Sequence, residues 1–435
     1  MADASMTKTG VRELLSRKIE PKGSFWRPLL WVAGPGLVAM LADTDAGSII
    51  TVAQSGAIWG YRLLLPNLLL IPFMFLAQEL ALRLGLGTGQ GLAELVRRHL
   101  GHAAALLLLA ALAASSFGAL VSELAGLAGA GAALGFPARL SVACAVAVLV
   151  LVVATGSYRS VERAALSFGL CELAFFVMAW KARPNPLHIL SAARAIPLAE
   201  PGFLWLLAAN LGTSIIPWAL VYQQSASIDK GLGPGQIRAA RLETFVGVVL
   251  CQAITAALLI AAAATLGTGA PLHSVTEIEA AFSVTLGPIA GRSVFVLGLS
   301  GAALVAAIVS CLAFAWAFGE ALGVRHSLEH RPAEAPWFYA AIVIMLLGAG
   351  GLVASGLNLV SLAVAAGVAN AVLLPGLLGL LLYLARTALP PDLRLRGIPG
   401  VVTGACLLFI AALGAALGAG LGLVAGLAPV LRWLG

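Results

Sequence analysis

The sequence has few charged residues, and this shortage sets the class of protein. Asp, Glu, Lys and Arg make up 10% of the 435 residues, whereas about 25% is usual for a soluble domain. Hydrophobic residues make up 60%, and the mean hydropathy is +1.00. The composition therefore predicts an all-α polytopic membrane protein.

The sequence also lacks a continuous basic patch and a long hydrophilic segment. The net charge is +7, but the basic residues form short clusters between apolar runs, without an RNA-binding signature, so nucleic acid is not an expected partner. The longest polar stretches have the length of tails or connectors. We predict an N-terminal tail over residues 1–28 and a single transmembrane domain over residues 29–435, surrounded by lipid and without an obligate protein partner.

Motifs for a resident metal or for catalysis are missing too. The five cysteines stand singly in apolar runs without metal-ligand spacing, which is typical of small hydrophobic residues. Neither an HExxH motif nor a nucleophile elbow occurs. Asp43 and Asp45 lie on one segment, without the second aspartate motif that a paired-aspartate enzyme needs. We expect no enzymatic activity and no cofactor.

Long apolar runs, separated by Gly, Pro and charged clusters, predict eleven transmembrane helices. The predicted spans are residues 29–53, 61–84, 103–133, 138–156, 164–181, 202–228, 243–267, 285–322, 336–355, 358–386 and 398–429.

The distribution of Lys and Arg predicts the orientation. With the N-terminus in the cytoplasm, most of the 26 Lys and Arg residues lie on the inner side, as the positive-inside rule requires. The loop with Lys181, Arg183 and Arg194 is an exception. The first span is too long and too acidic for a cleavable signal peptide. We predict a bacterial inner membrane protein with a cytoplasmic N-terminus.

Charge and helix-breaking residues coincide in the first span. Asp43 and Asp45 lie near its centre, where an ionised side chain costs roughly 2.5–3.5 kcal/mol on insertion scales. Asp45-Ala46-Gly47-Ser48 is also poor helix-interior sequence. A helix broken at this depth is tolerated where the freed backbone groups line a cavity, and carboxylates in such a cavity suit a cation.

The sixth span has a similar interruption. Residues 210–217 combine glycine and small polar residues with Pro217, which removes a backbone hydrogen bond. Two broken helices five spans apart are typical of an inverted repeat, here spans 1–5 and 6–10 with span 11 peripheral, and the site then lies at both breaks. Close packing of small residues is the alternative explanation for the glycines.

These segments resemble the Nramp family of divalent metal transporters, which has a LeuT-like fold. The similarity includes Gly34-Pro35-Gly36, Ser122-Glu123 and Asp45-Ala46-Gly47-Ser48, the last of which lies on the family's Asp-Pro-Gly-Asn signature. In the sixth span, residues 211–217 lie on the family's Leu-Gly-Ala-x-x-Met-Pro segment. The resemblance covers the whole chain, densely over residues 34–126 and loosely after residue 240, and implies the transport of a divalent metal cation.

The resemblance implies a metal site made by Asp45, Ser48 and the carbonyl of Thr213. Ser48 stands where the family has Asn, and Ile216 stands where it has Met, so no thioether ligand remains. Thioether ligands favour softer metals, whereas Mg²⁺ prefers oxygen and keeps several waters. The pattern resembles a magnesium-transporting branch of the family, and the additional Asp43 adds acceptor capacity. We predict Mg²⁺, carried partly hydrated; Mn²⁺ or a broad range of divalent metals is the alternative.

Two further residues are weaker candidates for the site. Gln223, in the second half of the sixth span, is a candidate for holding the hydration shell of the ion, with an ordinary helix end as the alternative. Asn370 lies near the place where the family has glutamines that face the site, and hydrogen bonding between helices is its alternative. The hydroxyls of Ser48 and Thr213 could also simply cap the helix breaks.

The resemblance also bears on proton coupling. In the family a histidine after the proline of the sixth span and acidic residues on the third span form a proton route. Here Trp218 follows Pro217, and Leu120 precedes Glu123 by three residues, so only Glu123 remains on that route. The six histidines fall in loops or at span ends. We predict uncoupled transport, driven inward by about 4.6 kcal/mol per 100 mV for a divalent ion.

Three further acidic residues occur in the apolar part of the sequence. Glu79, Glu172 and Glu320 lie in or near apolar spans, and we expect each to pair with a basic residue, as Glu320 with Arg325.

A LeuT-like transporter of a small organic solute is a rival function, but its site needs hydrogen-bond donors for the carboxylate of the solute, whereas this chain offers acidic oxygen atoms. A channel is a second rival that the sequence does not distinguish from an uncoupled carrier.

Overall fold

The computed structural model describes residues 34–266, 269, 271, 272, 274–355 and 359–417. The predicted tail, residues 1–28, lies outside the described residues. All regular structure in the described ranges is helical. The helices are α1 (Pro35–Ala42), α2 (Ala46–Trp59), α3 (Leu64–Thr88), α4 (Leu92–Leu100), α5 (His102–Ala133), α6 (Ala138–Ala154), α7 (Tyr158–Gly169), α8 (Ala174–Lys181), α9 (Pro186–Ala193), α10 (Pro201–Ser214), α11 (Pro217–Asp229), α12 (Ile237–Leu266), α13 (Val275–Leu286), α14 (Pro288–Leu322), α15 (Pro336–Val353), α16 (Leu359–Thr387) and α17 (Gly397–Leu417).

Each of the eleven predicted spans overlaps at least one of these helices. Within the described part of the chain, nine helical segments are long and apolar enough to cross a membrane. Nine are found because α6 has only 17 residues, and because α2 continues through a 3₁₀ turn, Gly60–Leu63, into α3. The class, an all-α membrane protein, is confirmed, while the exact number of eleven is not.

Two helices are broken in mid-span, at the predicted places. α1 ends at Ala42, and α2 begins at Ala46 with Asp45 as its N-cap. α10 ends at Ser214, and α11 begins at Pro217 after the extended residue Ile216. Proline weakens a helix that precedes it, because it lacks an N–H and its ring meets an earlier carbonyl, but it fits the first position of a new helix, where an N–H would have no partner.

The broken helices lie inside the bundle. α10 packs against α2 and α16, whereas α1 and α2 both pack against α12. α5 lies along α14 and contacts α2 as well. Gly212 of α10 faces the backbone of α16 near Gly367 so closely that a side chain on Gly212 would overlap the Gly367 carbonyl oxygen. The two breaks are therefore enclosed by neighbouring helices.

Three short helices between the spans were not predicted. α4, α9 and α13 have 9, 8 and 12 residues, which is below the length of a transmembrane helix. α4 has one buried apolar side, and its opposite side carries the exposed ion pair of Glu94 with Arg98. We call the face of the bundle that carries Gly34, at the start of α1, the N-terminal face; α3 and α11 end there.

Candidate cation site

Asp45 starts α2 and lies at the positive end of its helix dipole. Its carboxylate Oδ1 accepts a hydrogen bond of 2.5 Å from the Ser48 backbone N–H, which is the geometry of a helix N-cap. Negative charge at a helix N-terminus is stabilised by the unpaired N–H groups and by the helix dipole. The cap uses Oδ1, so Oδ2 is available to a further partner.

Ser48 connects the two breaks. Its hydroxyl lies 3.1 Å from the Asp43 carbonyl oxygen and 3.4 Å from the Thr213 carbonyl oxygen. The Thr213 hydroxyl donates instead to the Asn210 carbonyl, within its own helix, at 3.2 Å. The structure therefore brings the backbone carbonyl of Thr213 toward the first break, and not its hydroxyl.

Asp43 has a buried carboxylate without a hydrogen-bond partner. The residue is 2% exposed, and neither carboxylate oxygen receives a hydrogen bond from the described residues. An ionised carboxylate in such a place is strongly destabilising unless a charge or several donors compensate it. None of the ion pairs among the described residues includes Asp43 or Asp45. A bound cation would supply the missing compensation for both carboxylates.

Glu123 of α5 lies directly behind the first break. Its Oε2 accepts a hydrogen bond of 2.9 Å from the Ala46 backbone N–H. Its Oε1 is buried without a partner among the described residues. Glu123 and Asp45 thus both accept backbone N–H groups at the N-terminus of α2. The Glu123 carboxyl group therefore contributes to the charge around the first break.

Gln223 and Asn370 are bonded to other helices. Gln223 Nε2 donates to the Thr244 hydroxyl of α12 at 3.1 Å, and Gln223 Oε1 has no partner in the described chain. Asn370 Oδ1 accepts from the Ser115 hydroxyl of α5 at 2.8 Å. The structure brings Asp43, Asp45, Ser48 and Thr213 together, whereas these two amides hold neighbouring helices around that group.

The second break offers no side-chain ligand at Ile216. Ile216 precedes α11, is 1% exposed and ends in an apolar side chain. A sulphur atom does lie beside the first break, on α12: the Thr44 hydroxyl donates to Cys251 Sγ at 3.4 Å. In the sequence, Cys251 has the surroundings of an ordinary apolar residue. No local signal marks this contact, because the two residues are 207 positions apart.

The remaining acids follow the sequence expectation only in part. Glu79 pairs with Arg83 and with Arg241, which confirms that prediction. Glu320 was predicted to pair with Arg325, and this is wrong: Glu320 accepts from the Ser225 hydroxyl at 2.7 Å and from the Ala93 N–H at 3.0 Å. Gly323, at a φ of +72°, ends α14 between the two residues.

Glu172, the third of these acids, is fully buried and belongs to none of the ion pairs of the described ranges. Its neighbour is Thr44 in the first break, so the predicted basic partner is wrong for this residue as well. The histidines of the described chain lie away from the break. His99 and His102 are at the junction of α4 and α5, and His273 lies outside the described residues.

Apart from the Cys251 sulphur of α12, which lies beside the first break, the donor atoms around the two breaks are oxygens. They comprise the carboxylates of Asp43 and Asp45, the Ser48 hydroxyl and the carbonyls of Asp43 and Thr213. In the described ranges, no three His, Cys, Asp or Glu side chains converge as they do in a resident metal centre. Two carboxylates with neutral oxygens match the charge of a divalent cation and suit hard metal ions.

Comparison with known proteins gives consistent results. The family model described as natural resistance-associated macrophage protein-like matches residues 36–419. The "Divalent metal cation transporter MntH" of Ralstonia nicotianae is 30% identical over 310 residues, which is 66% of this chain and 67% of the relative. The protein of the same name from Granulibacter bethesdensis is 29% identical over 324 residues, or 69% and 70% of the two chains.

Solved structures are similar to this fold. The Eremococcus coleocola manganese transporter, in complex with an aromatic bis-isothiourea substituted compound, has a TM-score of 0.72 at 18% identity and covers 91% of this chain and 87% of its own. MhsT in complex with L-phenylalanine has a TM-score of 0.57 at 17% identity, covering 88% and 97%. At these identities the likeness concerns the fold alone.

Proposed function

The chain belongs to the Nramp family and is a divalent metal cation transporter, and we propose that it carries Mg²⁺ as a partly hydrated ion without proton coupling. One observation supports this choice of ion more than any other. The two breaks present oxygen donors to each other, joined by the Ser48 hydroxyl, while the apolar Ile216 occupies the second break. Oxygen ligands and retained water are what Mg²⁺ prefers.

The charges at the site are consistent with a divalent ion. Asp43 and Asp45 repel each other when both are ionised, and a cation of charge two between them offsets both charges. The Asp43 carboxylate requires this compensating charge more than the Asp45 carboxylate does, because Asp43 receives no hydrogen bond from the described residues. We propose that Asp45 binds the ion directly or through one water and that Asp43 supplies the second negative charge.

The absence of proton coupling is proposed from the residues that surround the breaks. Trp218 and Leu120, which replace the polar residues of the family's proton route, are both fully buried, and neither side chain takes up or releases a proton. Glu123 remains near the site, with Asp45 and the buried Glu172 as acidic neighbours, but the histidine after the proline and the acid three residues before Glu123 are missing. An inside-negative membrane potential then drives the ion inward, at about 4.6 kcal/mol per 100 mV.

The orientation is proposed from the basic residues of the N-terminal face. Arg97, Arg98, Lys230 and Arg241 lie at this face, on or beside α4, α11 and α12. The positive-inside rule places such a face in the cytoplasm, so α1 starts on the cytoplasmic side. We propose the bacterial inner membrane as the location.

Transport of Mn²⁺ or of several divalent metals is the second candidate. Two observations favour it: the relatives named above are called divalent metal cation transporters or manganese transporters, and the thiol of Cys251 lies beside the first break. A sulphur ligand stabilises softer transition metals relative to Mg²⁺.

The test is uptake into proteoliposomes that contain the purified protein, an indicator for Mg²⁺ or Mn²⁺ and a lumenal pH dye. With an inside-negative potential we expect saturable Mg²⁺ uptake without a change in lumenal pH, because the ion alone carries the charge. Uptake of Mn²⁺ with exclusion of Mg²⁺ would contradict the proposed ion. Acidification in step with metal entry would contradict uncoupled transport.

Ile216→Met is expected to shift the selectivity toward Mn²⁺. The variant places a thioether at the second break, and the ratio of Mn²⁺ to Mg²⁺ uptake should rise on the order of 10-fold, at the lower end of what substitutions around metal sites change. Ile216→Leu is the matched control, since it has a similar volume and no sulphur. If both variants change the ratio equally, shape and not sulphur determines the selectivity.

A further inference from the structure

The N-terminus of α1 is held by one carboxylate of another helix. Glu243 of α12 accepts three backbone hydrogen bonds, from Gly34 N–H at 2.8 Å, Gly36 N–H at 3.3 Å and Leu37 N–H at 2.6 Å. A helix N-terminus leaves its first N–H groups without partners inside the helix. Glu243 satisfies three of them with one carboxyl group, and hydrogen bonds to an ionised carboxylate are stronger than neutral ones.

This contact is enclosed on its outer side. Glu243 is 6% exposed, and the ion pair of Lys230 with Glu162, at 2.8 Å, lies next to Gly34. Lys230 follows α11, the second half of the other broken helix, and Glu162 belongs to α7. Both broken helices are thus fastened to unbroken parts of the bundle at the N-terminal face.

α1 is a short helix with its own two ends. It has 8 residues and is separated from α2 by the non-helical segment 43–45, so it can tilt without breaking the hydrogen bonds of a continuous helix. Hinges of this kind are a few residues that absorb a change in φ and ψ. A tilt of α1 away from α12 would break its three hydrogen bonds to Glu243 and would uncover the first break toward the N-terminal face.

We propose that Glu243 is a positioning residue that latches α1 to α12 and so holds the cation site closed toward the N-terminal face. This inference rests on the proposed transport function. Release of the three bonds would let α1 tilt, open the first break and let the ion pass on this side. Re-formation of the bonds would restore the enclosed site.

The chain carries its own reporter for this movement. Cys251 is 2% exposed and faces the first break, where its sulphur accepts from Thr44. A tilt of α1 about segment 43–45 carries Met40, which packs against Gly247 of α12, away from α12 and opens the space beside the thiol one turn further along. The reporter requires a background in which the other four cysteines are replaced by alanine, namely Cys144, Cys171, Cys311 and Cys406.

The experiment measures the rate at which N-ethylmaleimide labels Cys251 in proteoliposomes, detected by mass spectrometry. Glu243→Gln keeps one oxygen but loses the charge, and Glu243→Ala loses all three bonds. Since bonds to charged groups contribute the most, we expect the rate to rise roughly 10-fold in Glu243→Gln and roughly 100-fold in Glu243→Ala.

Glu79→Gln is the matched control. Glu79 is also a buried carboxylate near this face and pairs with Arg241 of α12, but it makes no hydrogen bond to α1. We expect Glu79→Gln to leave the labelling rate of Cys251 unchanged even where it lowers the melting temperature. Equal labelling of wild type and Glu243→Ala, or an equal rise in Glu79→Gln, would overturn the latch. Because labelling needs no ion flux, its result is separate from that of the transport assay.

Discussion

Asp45→Asn is expected to reduce divalent cation uptake by more than about 100-fold, which exceeds the 10–100-fold cost of altering partners that lie outside the ligand shell. The variant removes a negative charge and a ligand oxygen from the first break. The fold should persist, because asparagine is as good an N-cap as aspartate and can still accept the Ser48 N–H that Asp45 Oδ1 now accepts.

The comparison for this variant is Asp229→Asn, at the end of α11. Asp229 is also a hydrogen-bonded acid, since its half-buried carboxylate accepts from the Leu328 N–H at 2.9 Å, but it lies at the N-terminal face and outside the break. Both variants should melt close to the wild type, and only Asp45→Asn should lose transport. Normal uptake by Asp45→Asn would show that the site is assigned to the wrong residue.

Gly212→Ala is expected to disrupt the protein itself. The added methyl group would overlap the Gly367 carbonyl oxygen and would lie 2.7 Å from the Ala371 backbone nitrogen. Neither backbone atom can move without displacing α16, so α10 and α16 must separate. Overpacking of this kind lowers the free energy of unfolding by about 1–3 kcal/mol, and by more when only backbone atoms could move to make room. We expect a destabilisation of more than about 3 kcal/mol and loss of uptake.

The control is Gly376→Ala, in the same helix α16, where an added methyl group meets no atom within 4 Å. Alanine has the higher helix propensity, so this variant should be neutral or slightly more stable. The melting temperatures of both variants in detergent, followed by uptake, test the prediction. If the melting temperature of Gly212→Ala equals that of the wild type, α10 and α16 are not in close contact.

The local features of the two breaks could be predicted from the sequence. Asp45 and Ser48 have the spacing of an N-cap and of the N–H from which it accepts. Pro217 closely follows glycine and small polar residues, unlike Pro72 and Pro375, which lie inside helices. Such signals depend on a few neighbouring residues and on backbone chemistry that does not vary with the fold. For this reason the positions of the breaks, and the class of the protein, followed from the sequence.

The contacts that complete the site could not be predicted in this way. Ser48 and Thr213 are 165 residues apart, Ser115 and Asn370 are 255 apart, and Gly34 and Glu243 are 209 apart. Each contact depends on which helices become neighbours in the bundle. The hydrophobic periodicity of a single helix does not identify those neighbours.

Glu320 illustrates the opposite error. Arg325 is close in sequence, but α14 ends between the two residues. The N-terminus of α4 provides the donor instead, through the Ala93 N–H, and α4 is too short for its hydrophobic pattern to be recognised as a span.

The most direct test of the proposed site is a crystal structure of the protein grown with Mn²⁺, whose anomalous scattering identifies the ion. The account predicts an anomalous peak in the first break, bound by Asp45 directly or through one water, with the Ser48 hydroxyl and the Thr213 carbonyl around it. A peak elsewhere in the bundle, with the break between Asp43 and Ser48 empty, would contradict it.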